Sequence, residues 1–241
     1  LTGRSFNGDV TLWKDWWVKH KDTFEIGGGA GARDGAAGPV APGQARGSVS
    51  FYGIQTRSRR ILFVLDRSGS MNEPASDATT GKESGQRKID VARTQLNVAI
   101  AGLEDGAEFN IITYAMDVTR WQKRMQKMTD ALRKKVTKYV DSDIEAAGGT
   151  NIYDALQEGF RIAGIGAQDK AYESNVDTIF FLSDGEPTNG EVTDPQEILK
   201  RVREWNRISR IVVHTVGVGK GHDAAFMRRL AEENGGQYTT R

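Results

Sequence analysis

Five oxygen-bearing side chains follow apolar or glycine-rich segments of the sequence and share one kind of chemistry. Asp66, Ser68 and Ser70 occupy alternate positions in "LDRSGSM", directly after a buried-strand pattern. Thr150 ends the turn "AAGGT", and Asp184 ends "VDTIFFLSD". Carboxylate and hydroxyl oxygens, without His, Cys or Met among them, are the ligands that a hard dication such as Mg²⁺ prefers. The set therefore indicates a cation site that could accept one more oxygen from another molecule.

These positions are far apart in the sequence, so only the fold can bring them together. From residue 59 onward, short apolar runs alternate with longer amphipathic stretches, which is typical of parallel strands covered by helices on both faces. We predict an α/β fold, a doubly wound Rossmann-like three-layer sandwich whose central sheet is mostly parallel with one antiparallel edge strand. Ligands of such sheets bind outside the carboxyl ends of the strands, where the five residues are expected.

The individual elements follow from hydrophobic period and turn signals. Strands are predicted at "RRILFVLD", "AEFNIITYAMDV", "VDTIFFLSDG" and "RIVVHTVGVG", with an edge strand at "TRWQKRMQKM". Helices are predicted at "KIDVARTQLNVAIAGLE", "DALRKKVTKYVDSD", "IYDALQEGFRIAGI", "PQEILKRVREWNRIS" and "DAAFMRRLAEENGG". His214 falls in a buried strand, and we expect it to be a core residue whose polar atoms have partners.

The order Asp66-x-Ser68-x-Ser70, then Thr150 in "GGTNIYDAL", then Asp184 in "LSDGEPT", resembles the metal-ion-dependent adhesion site of von Willebrand factor type A domains. The resemblance covers about residues 59 to 241. It implies that these five positions hold Mg²⁺ or Mn²⁺, and that an Asp or Glu carboxylate of a protein partner completes the octahedron. The expected function is divalent-cation-dependent protein–protein interaction, in adhesion or scaffolding.

The segment between Met71 and Arg87 is longer than the turn that the family leads us to expect. Residues 72–87 would lie beside the metal and could shape the choice of partner together with Glu186 and Thr188. An alternative is a structural or regulatory module, in which the metal only orders loops or binds an acidic residue of the same chain. The candidates for such an internal ligand are Glu73, Asp77 and Glu83.

Each site residue also has a local explanation. Asp66 could cap a loop, Thr150 could cap a helix that begins at Asn151, and the two serines could satisfy loop amides. The joint occurrence of all five residues at one sheet edge favours the cation site. Asp66 is expected to lie at the rim of that site, so that its removal costs the fold little.

The sequence divides into three parts. Residues 1–26 carry Trp13, Trp16 and Trp17 at helical spacing and predict a Trp-rich helical head. Residues 27–47 contain eight glycines, six alanines and two prolines, which predicts a flexible linker, and residues 48–241 form the α/β domain. The head resembles segments that follow HEAT-type repeats, so we expect the C-terminal part of a bacterial multidomain protein, extracytoplasmic or at the cell surface, with neighbouring modules as further partners.

Composition and motifs argue against other classes of function. The 33 basic and 32 acidic residues leave a net charge of +1, which gives no field to attract nucleic acid, and there are no cysteines for disulfides or thiolate metal sites. No apolar run reaches the roughly 18 residues that span a bilayer. "DRSGS" is no G-x-S-x-G nucleophile elbow, and Ser68 stands where an aspartyl-phosphate phosphatase needs a second acid. We predict no enzyme and no nucleic-acid partner.

Overall fold

The computed structural model describes residues 48–76, 83–164 and 175–241. The predicted head at 1–26 and linker at 27–47 lie outside the described residues, so these two assignments stay predictions.

A seven-stranded sheet forms the middle layer of the described residues. Its spatial order is β11 (Tyr238–Thr240), β10 (Val212–Gly217), β9 (Thr178–Ser183), β3 (Arg60–Asp66), β6 (Glu108–Tyr114) and β7 (Val118–Arg120), with β8 (Gln126–Lys127) also paired to β6. Neighbours are parallel except β7 and β8, which run antiparallel to β6. The predicted α/β fold and its antiparallel edge are confirmed, while the parallel edge strand β11 was not predicted.

The antiparallel edge is interrupted because a buried asparagine takes over part of the pairing. Asn110 Nδ2 donates to the carbonyl oxygens of Gln122 at 2.8 Å and Arg124 at 3.2 Å. Its Oδ1 accepts from the Gln122 amide at 3.2 Å. These bonds satisfy backbone groups that a continuous strand would pair with β6, so the predicted single edge strand consists of two short ones.

Helices cover both faces of the sheet. On one face lie α1 (Lys88–Gly102) and α2 (Asp130–Ser142), and on the other lie α3 (Ile152–Ile162), α4 (Pro195–Asn206) and α5 (Ala224–Glu233). Successive residues of β3 point to opposite faces, as a strand requires. Phe63 and Leu65 join the core under α1 and α2, whereas Leu62 and Val64 join the core under the other three helices. The predicted three layers are therefore present.

Two hairpins precede the first helix. The strands β1 (Val49–Phe51) and β2 (Ile54–Thr56) are joined at Tyr52 and Gly53, which have φ angles of 50° and 83°, the two positive values that a type I′ turn needs. The strands β4 (Pro74–Ser76) and β5 (Glu83–Arg87) lie in the predicted insertion 72–87. Both hairpins have strands of three to five residues, which are too short to give a clear alternation in the sequence.

His214 is a core residue, as predicted. Its ring stacks on Phe180 with centroids 5.0 Å apart, and its Nδ1 accepts from the Gln237 amide at 3.0 Å. Burial lowers the pKa of His214, so the neutral ring that this bond requires is also the favoured form.

The basic residues of α4 pair with acids at the protein surface. Arg201 Nε lies 2.9 Å from Glu197, and Arg203 lies 2.8 Å from Glu233. Such pairs account for this basic cluster as a solvated face. Within the part of the chain that the structure describes, no helix is both long and apolar enough to cross a membrane.

Removal of the Phe51 ring should test whether the first hairpin belongs to the core. Phe51 is fully buried, and its ring lies 5.5 Å from Phe63 and 5.4 Å from Phe180. We expect Phe51→Ala to lower the free energy of unfolding by about 3–5 kcal/mol, because it leaves a cavity between aromatic rings. Gln55→Ala, on the exposed side of the same hairpin, should change it by less than about 0.5 kcal/mol in the same urea titrations. Equal effects would place the hairpin outside the cooperative core.

Candidate metal centre

The two acids follow neighbouring central strands at the point where the strand order reverses. Asp66 is the last residue of β3, and Asp184 follows β9 directly. These strands are parallel neighbours with Leu65 in register with Leu182, while β6 lies on the other side of β3. Because the crossover from β3 leads to β6 and the crossover from β9 leads to β10, on the opposite side, a crevice opens between the carboxyl ends of β3 and β9. The carboxyl groups therefore meet where this fold class binds ligands.

The turn that contains Thr150 is tied to both acidic loops by backbone bonds. The Gly69 amide donates to Gly148 O at 2.8 Å, and the Thr188 amide donates to Thr150 O at 3.0 Å. A Cβ placed on Gly185 would lie 3.4 Å from Thr150 Oγ1, so this hydroxyl faces the backbone next to Asp184. All five predicted residues are thus brought to one end of the sheet.

Thr150 is not the cap of the following helix. Helix α3 begins at Ile152, and the cap is Asn151, whose Oδ1 accepts from the Asp154 amide at 3.2 Å. The alternative explanation of Thr150 as an N-cap is therefore wrong, and its hydroxyl is left for the site.

Asp184 is the residue on which the hydroxyls converge. Its Oδ1 accepts from Ser70 Oγ at 2.8 Å and from Ser68 Oγ at 3.2 Å, and the two hydroxyl oxygens lie 3.1 Å apart. Its other oxygen, Oδ2, accepts from Lys88 Nζ at 2.9 Å. The carboxylate is almost fully buried, so these donors replace the water that it lost on folding.

Asp66 does not lie at a rim; it is completely buried. The expected rim position is therefore wrong, because the loops that follow β3 and β9 close over its side chain, while the effect of its removal on stability stays a prediction. Asp66 Oδ1 accepts from the Ser68 amide at 2.7 Å, and Oδ2 accepts from Ser183 Oγ at 2.8 Å. Asp66 thus orders the loop that carries the serines.

Burial, and after it the negative charge of Asp184, raises the pKa of Asp66 from 3.8 to about 6. A rise of this size means that ionising Asp66 costs the folded state about 3 kcal/mol. The unfavourable contribution is absent below about pH 4 and complete above about pH 6, because the folded-state value lies above the unfolded one. At neutral pH the metal-free fold therefore bears the cost of an ionised, buried Asp66.

Lys88 also lies at the site, although it was not predicted from the sequence. Its ammonium contacts Asp184 at 2.9 Å and Glu73 at 2.7 Å, and the residue is 5% exposed. Burial alone would lower the pKa of Lys88, but the bonds to Glu73 and Asp184 outweigh burial and raise it. A usable signal did exist, because Lys88 opens α1, and a cation at a helix N-terminus opposes the helix dipole unless acids hold it there.

Two of the three acids considered as internal ligands lie in the described residues. Glu73 binds Lys88, Glu83 lies exposed on β5, and Asp77 lies outside the described residues. Of the two residues expected to influence partner choice, Glu186 is exposed, whereas Thr188 Oγ1 accepts from the Thr150 amide at 3.0 Å. Thr188 therefore helps to fix the Thr150 turn.

Three of the five oxygen donors have the spacing of neighbouring ligands of a dication. Asp184 Oδ1, Ser68 Oγ and Ser70 Oγ lie 2.8–3.2 Å apart, and neighbouring ligands of a cation with bonds of about 2.1 Å are separated by about 3 Å. No group of three or more His, Cys, Asp or Glu in the described ranges could hold a metal, so a cation here would depend on hydroxyls as well as acids. Such a set suits Mg²⁺ or Mn²⁺ better than softer metals.

Comparison with known families agrees with this fold. The family model described as "von Willebrand factor type A domain" matches residues 59–240. The chain belongs to the von Willebrand factor type A domain family, whose members are typically protein-interaction modules.

Individual relatives come from animals and bacteria. Human inter-alpha-trypsin inhibitor heavy chain H4 is 32% identical over 185 residues, which are 76% of this chain and 18% of that protein. The von Willebrand factor type A protein from Catenulispora acidiphila shares the fold with a TM-score of 0.59 at 20% identity, over 78% of this chain and 39% of that one. A structure of proximal thread matrix protein 1 from the mussel byssus contains zinc in its adhesion-site motif. It matches with a TM-score of 0.50 at 19% identity, over 75% of this chain and 40% of that one.

Ser183→Ala should show that the buried Asp66 depends on its neighbours. The substitution removes the hydroxyl that donates to Asp66 Oδ2 at 2.8 Å. We expect a loss of about 1.5–3 kcal/mol in the free energy of unfolding in EDTA, because the bond has a charged acceptor. Thr215→Val is the matched control, since it removes a buried hydroxyl that donates to the neutral Met227 carbonyl at 2.8 Å, and about 0.5–1.5 kcal/mol is expected. A smaller loss for Ser183→Ala than for the control would contradict this role.

Proposed function

We propose that this domain binds Mg²⁺ or Mn²⁺ through Asp66, Ser68, Ser70, Thr150 and Asp184, and that the cation holds an Asp or Glu carboxylate of a protein partner. The observation that carries the proposal is the set of hydroxyl and carboxylate oxygens that meet about 3 Å apart beside two buried acids. When bound, the cation supplies an electrophilic coordination position for an external oxygen.

The residues of the proposed site differ in their exposure. Asp66, Ser68 and Asp184 are buried, whereas Ser70 is half-buried and Gly69 is exposed. A cation held by these side chains would meet solvent, or a partner, next to Ser70. An exposed Met116, 62% accessible, lies beside the Gly148 turn and offers apolar area close to the same opening. A protein partner can supply both groups that such a surface would bind: a carboxylate for the cation and an apolar side chain that contacts Met116.

The wider setting is also a proposal. The chain spans about one fifth of the length of the inter-alpha-trypsin inhibitor heavy chains that it matches. We infer that it is an adhesion or scaffolding module of a longer, bacterial multidomain protein, without catalytic activity. The mussel protein, with zinc in the corresponding motif, supports a dication at this position in the fold.

Thermal melting of the wild type and Asp66→Asn, with and without metal, tests the cation site. In EDTA, Asp66→Asn should melt at or above the wild-type temperature, because the substitution removes a buried charge beside Asp184 while keeping its shape. In Mg²⁺ or Mn²⁺ at 100 times the dissociation constant, the wild type should gain about 2.7 kcal/mol, or roughly 5–10 °C. Asp66→Asn should gain nothing. An equal response of both proteins would place the metal elsewhere.

A selection from a random peptide display library tests the carboxylate partner. Peptides selected by the wild type in Mn²⁺ should share one Asp or Glu, because one open position takes one carboxylate. Replacement of that acid by its amide, addition of EDTA, or use of Asp66→Asn protein should each abolish binding, as measured by fluorescence anisotropy. Selection of the same peptides in EDTA would contradict metal-dependent capture and favour an ordinary surface site.

A further inference from the structure

We propose that Lys88 is a built-in counter-ion of the cation site, which stabilises the metal-free domain and lowers the affinity of the site for a dication. Lys88 Nζ lies 2.9 Å from Asp184 Oδ2, while the serine hydroxyls occupy Oδ1 of the same carboxylate. The inference rests on the proposed function, because it takes the five oxygen ligands as the place where the cation binds.

Besides the bond to Asp184, contacts with Glu73 and Gly219 hold Lys88 at this place. The Lys88 backbone amide donates to Glu73 O at 2.9 Å, and its ammonium donates to Glu73 Oε2 at 2.7 Å. On the other side, a Cβ placed on Gly219 would lie 3.0 Å from Lys88 Cε, so the aliphatic stem passes directly over this glycine. Gly219 has φ of +67°, a conformation that glycine adopts without strain. Another residue at position 219 would displace the lysine.

The charges give this ammonium a definite role. Asp66 and Asp184 are buried together, and Lys88 is the buried cation beside Asp184 in the described structure. Apart from Glu73, whose exposed charge is screened by solvent, the two acids and the ammonium sum to −1 when no metal is bound, so Lys88 offsets part of the repulsion between the acids. When a dication is bound, the net charge of these groups together with the dication is +1. One partner carboxylate then brings this net charge to zero. Lys88 therefore disfavours the loaded site on its own and favours it once an anionic ligand has bound.

If Lys88 were only part of a structural ion pair, its removal would change the stability in a different way from the removal of a counter-ion. If Lys88 only anchored the insertion hairpin through Glu73, its loss would lower the stability equally with and without metal. A counter-ion of the site must be competed by the cation, so its loss should destabilise the metal-free form most and increase the gain on binding metal. Stability in two conditions and metal affinity together separate the two roles.

The test is isothermal titration of Mn²⁺ alone, with melting in EDTA and in saturating Mn²⁺, on the wild type and Lys88→Met. Methionine keeps the length of the stem and removes the charge. We expect Lys88→Met to bind Mn²⁺ about tenfold more tightly, because a positive charge next to a ligand carboxylate is removed. It should melt below the wild type in EDTA and show a larger rise with Mn²⁺. Lys88→Gln, which keeps a donor for Asp184, should shift the affinity in the same direction and serves if the methionine variant fails to fold.

Two controls isolate the role of Lys88. Glu73→Gln removes the exposed charge beside the ammonium but keeps an oxygen acceptor and the Asp184 bond, so it should change the Mn²⁺ affinity less than Lys88→Met does. Lys200→Met removes an exposed lysine of α4 and should leave both measurements unchanged.

The outcomes separate this inference from the function on which it rests. Binding by the wild type with equal or weaker binding by Lys88→Met and Lys88→Gln overturns the counter-ion role and leaves the cation site standing. Binding by the charge-removed variants alone supports the inference, because the wild-type affinity would then lie below the range of the titration. Absence of binding by every protein contradicts the cation site and the counter-ion role together.

Discussion

The repulsion between two buried carboxylates is the constraint around which this end of the molecule is organised. Asp66 and Asp184 follow adjacent parallel strands, so the sheet itself forces them together. Neither can turn to solvent, because both are almost completely buried. The nearby donors are shared between the two acids: Ser183 Oγ and the amides of Ser68 and Asp184 donate to Asp66, and the hydroxyls of Ser68 and Ser70 with Lys88 donate to Asp184.

A rigid support is needed to hold like charges together, and the core supplies it. Phe63 on β3 stacks on Phe180 of β9 with centroids 5.7 Å apart, and Tyr114 of β6 stacks on Phe181 at 5.5 Å. The Tyr114 hydroxyl donates to Leu182 O at 2.9 Å, just before the strand ends. Stacked aromatic pairs on both faces thus join the three central strands directly beneath the acids, and separation of the acids would require these pairs to part.

The sequence carried the fold and the identity of the oxygen donors because both depend on local patterns. Apolar runs mark buried strands, and polar residues at the ends of such runs meet at one sheet edge. What lay outside this reasoning depends on three-dimensional packing. The depth of Asp66 and the packing of the short hairpin around Phe51 are set by contacts between segments distant in sequence. The cap at Asn151 is the exception, because it is a local bond to the Asp154 amide, one residue after the predicted position. Lys88 was visible only as a residue whose charge opposes the dipole of its own helix.

Charge balance links the site to the way in which this domain can recognise a partner. The whole chain carries a net charge of +1, so no long-range field selects an anionic partner, and discrimination has to arise within a few ångströms of the site. The buried acids and Lys88 sum to −1 in the metal-free protein, which gives an acidic partner no attraction. Only a dication reverses that sign. A site built in this way would make recognition of a carboxylate conditional on the metal, because the acids proposed to hold the metal repel the ligand until the metal is bound.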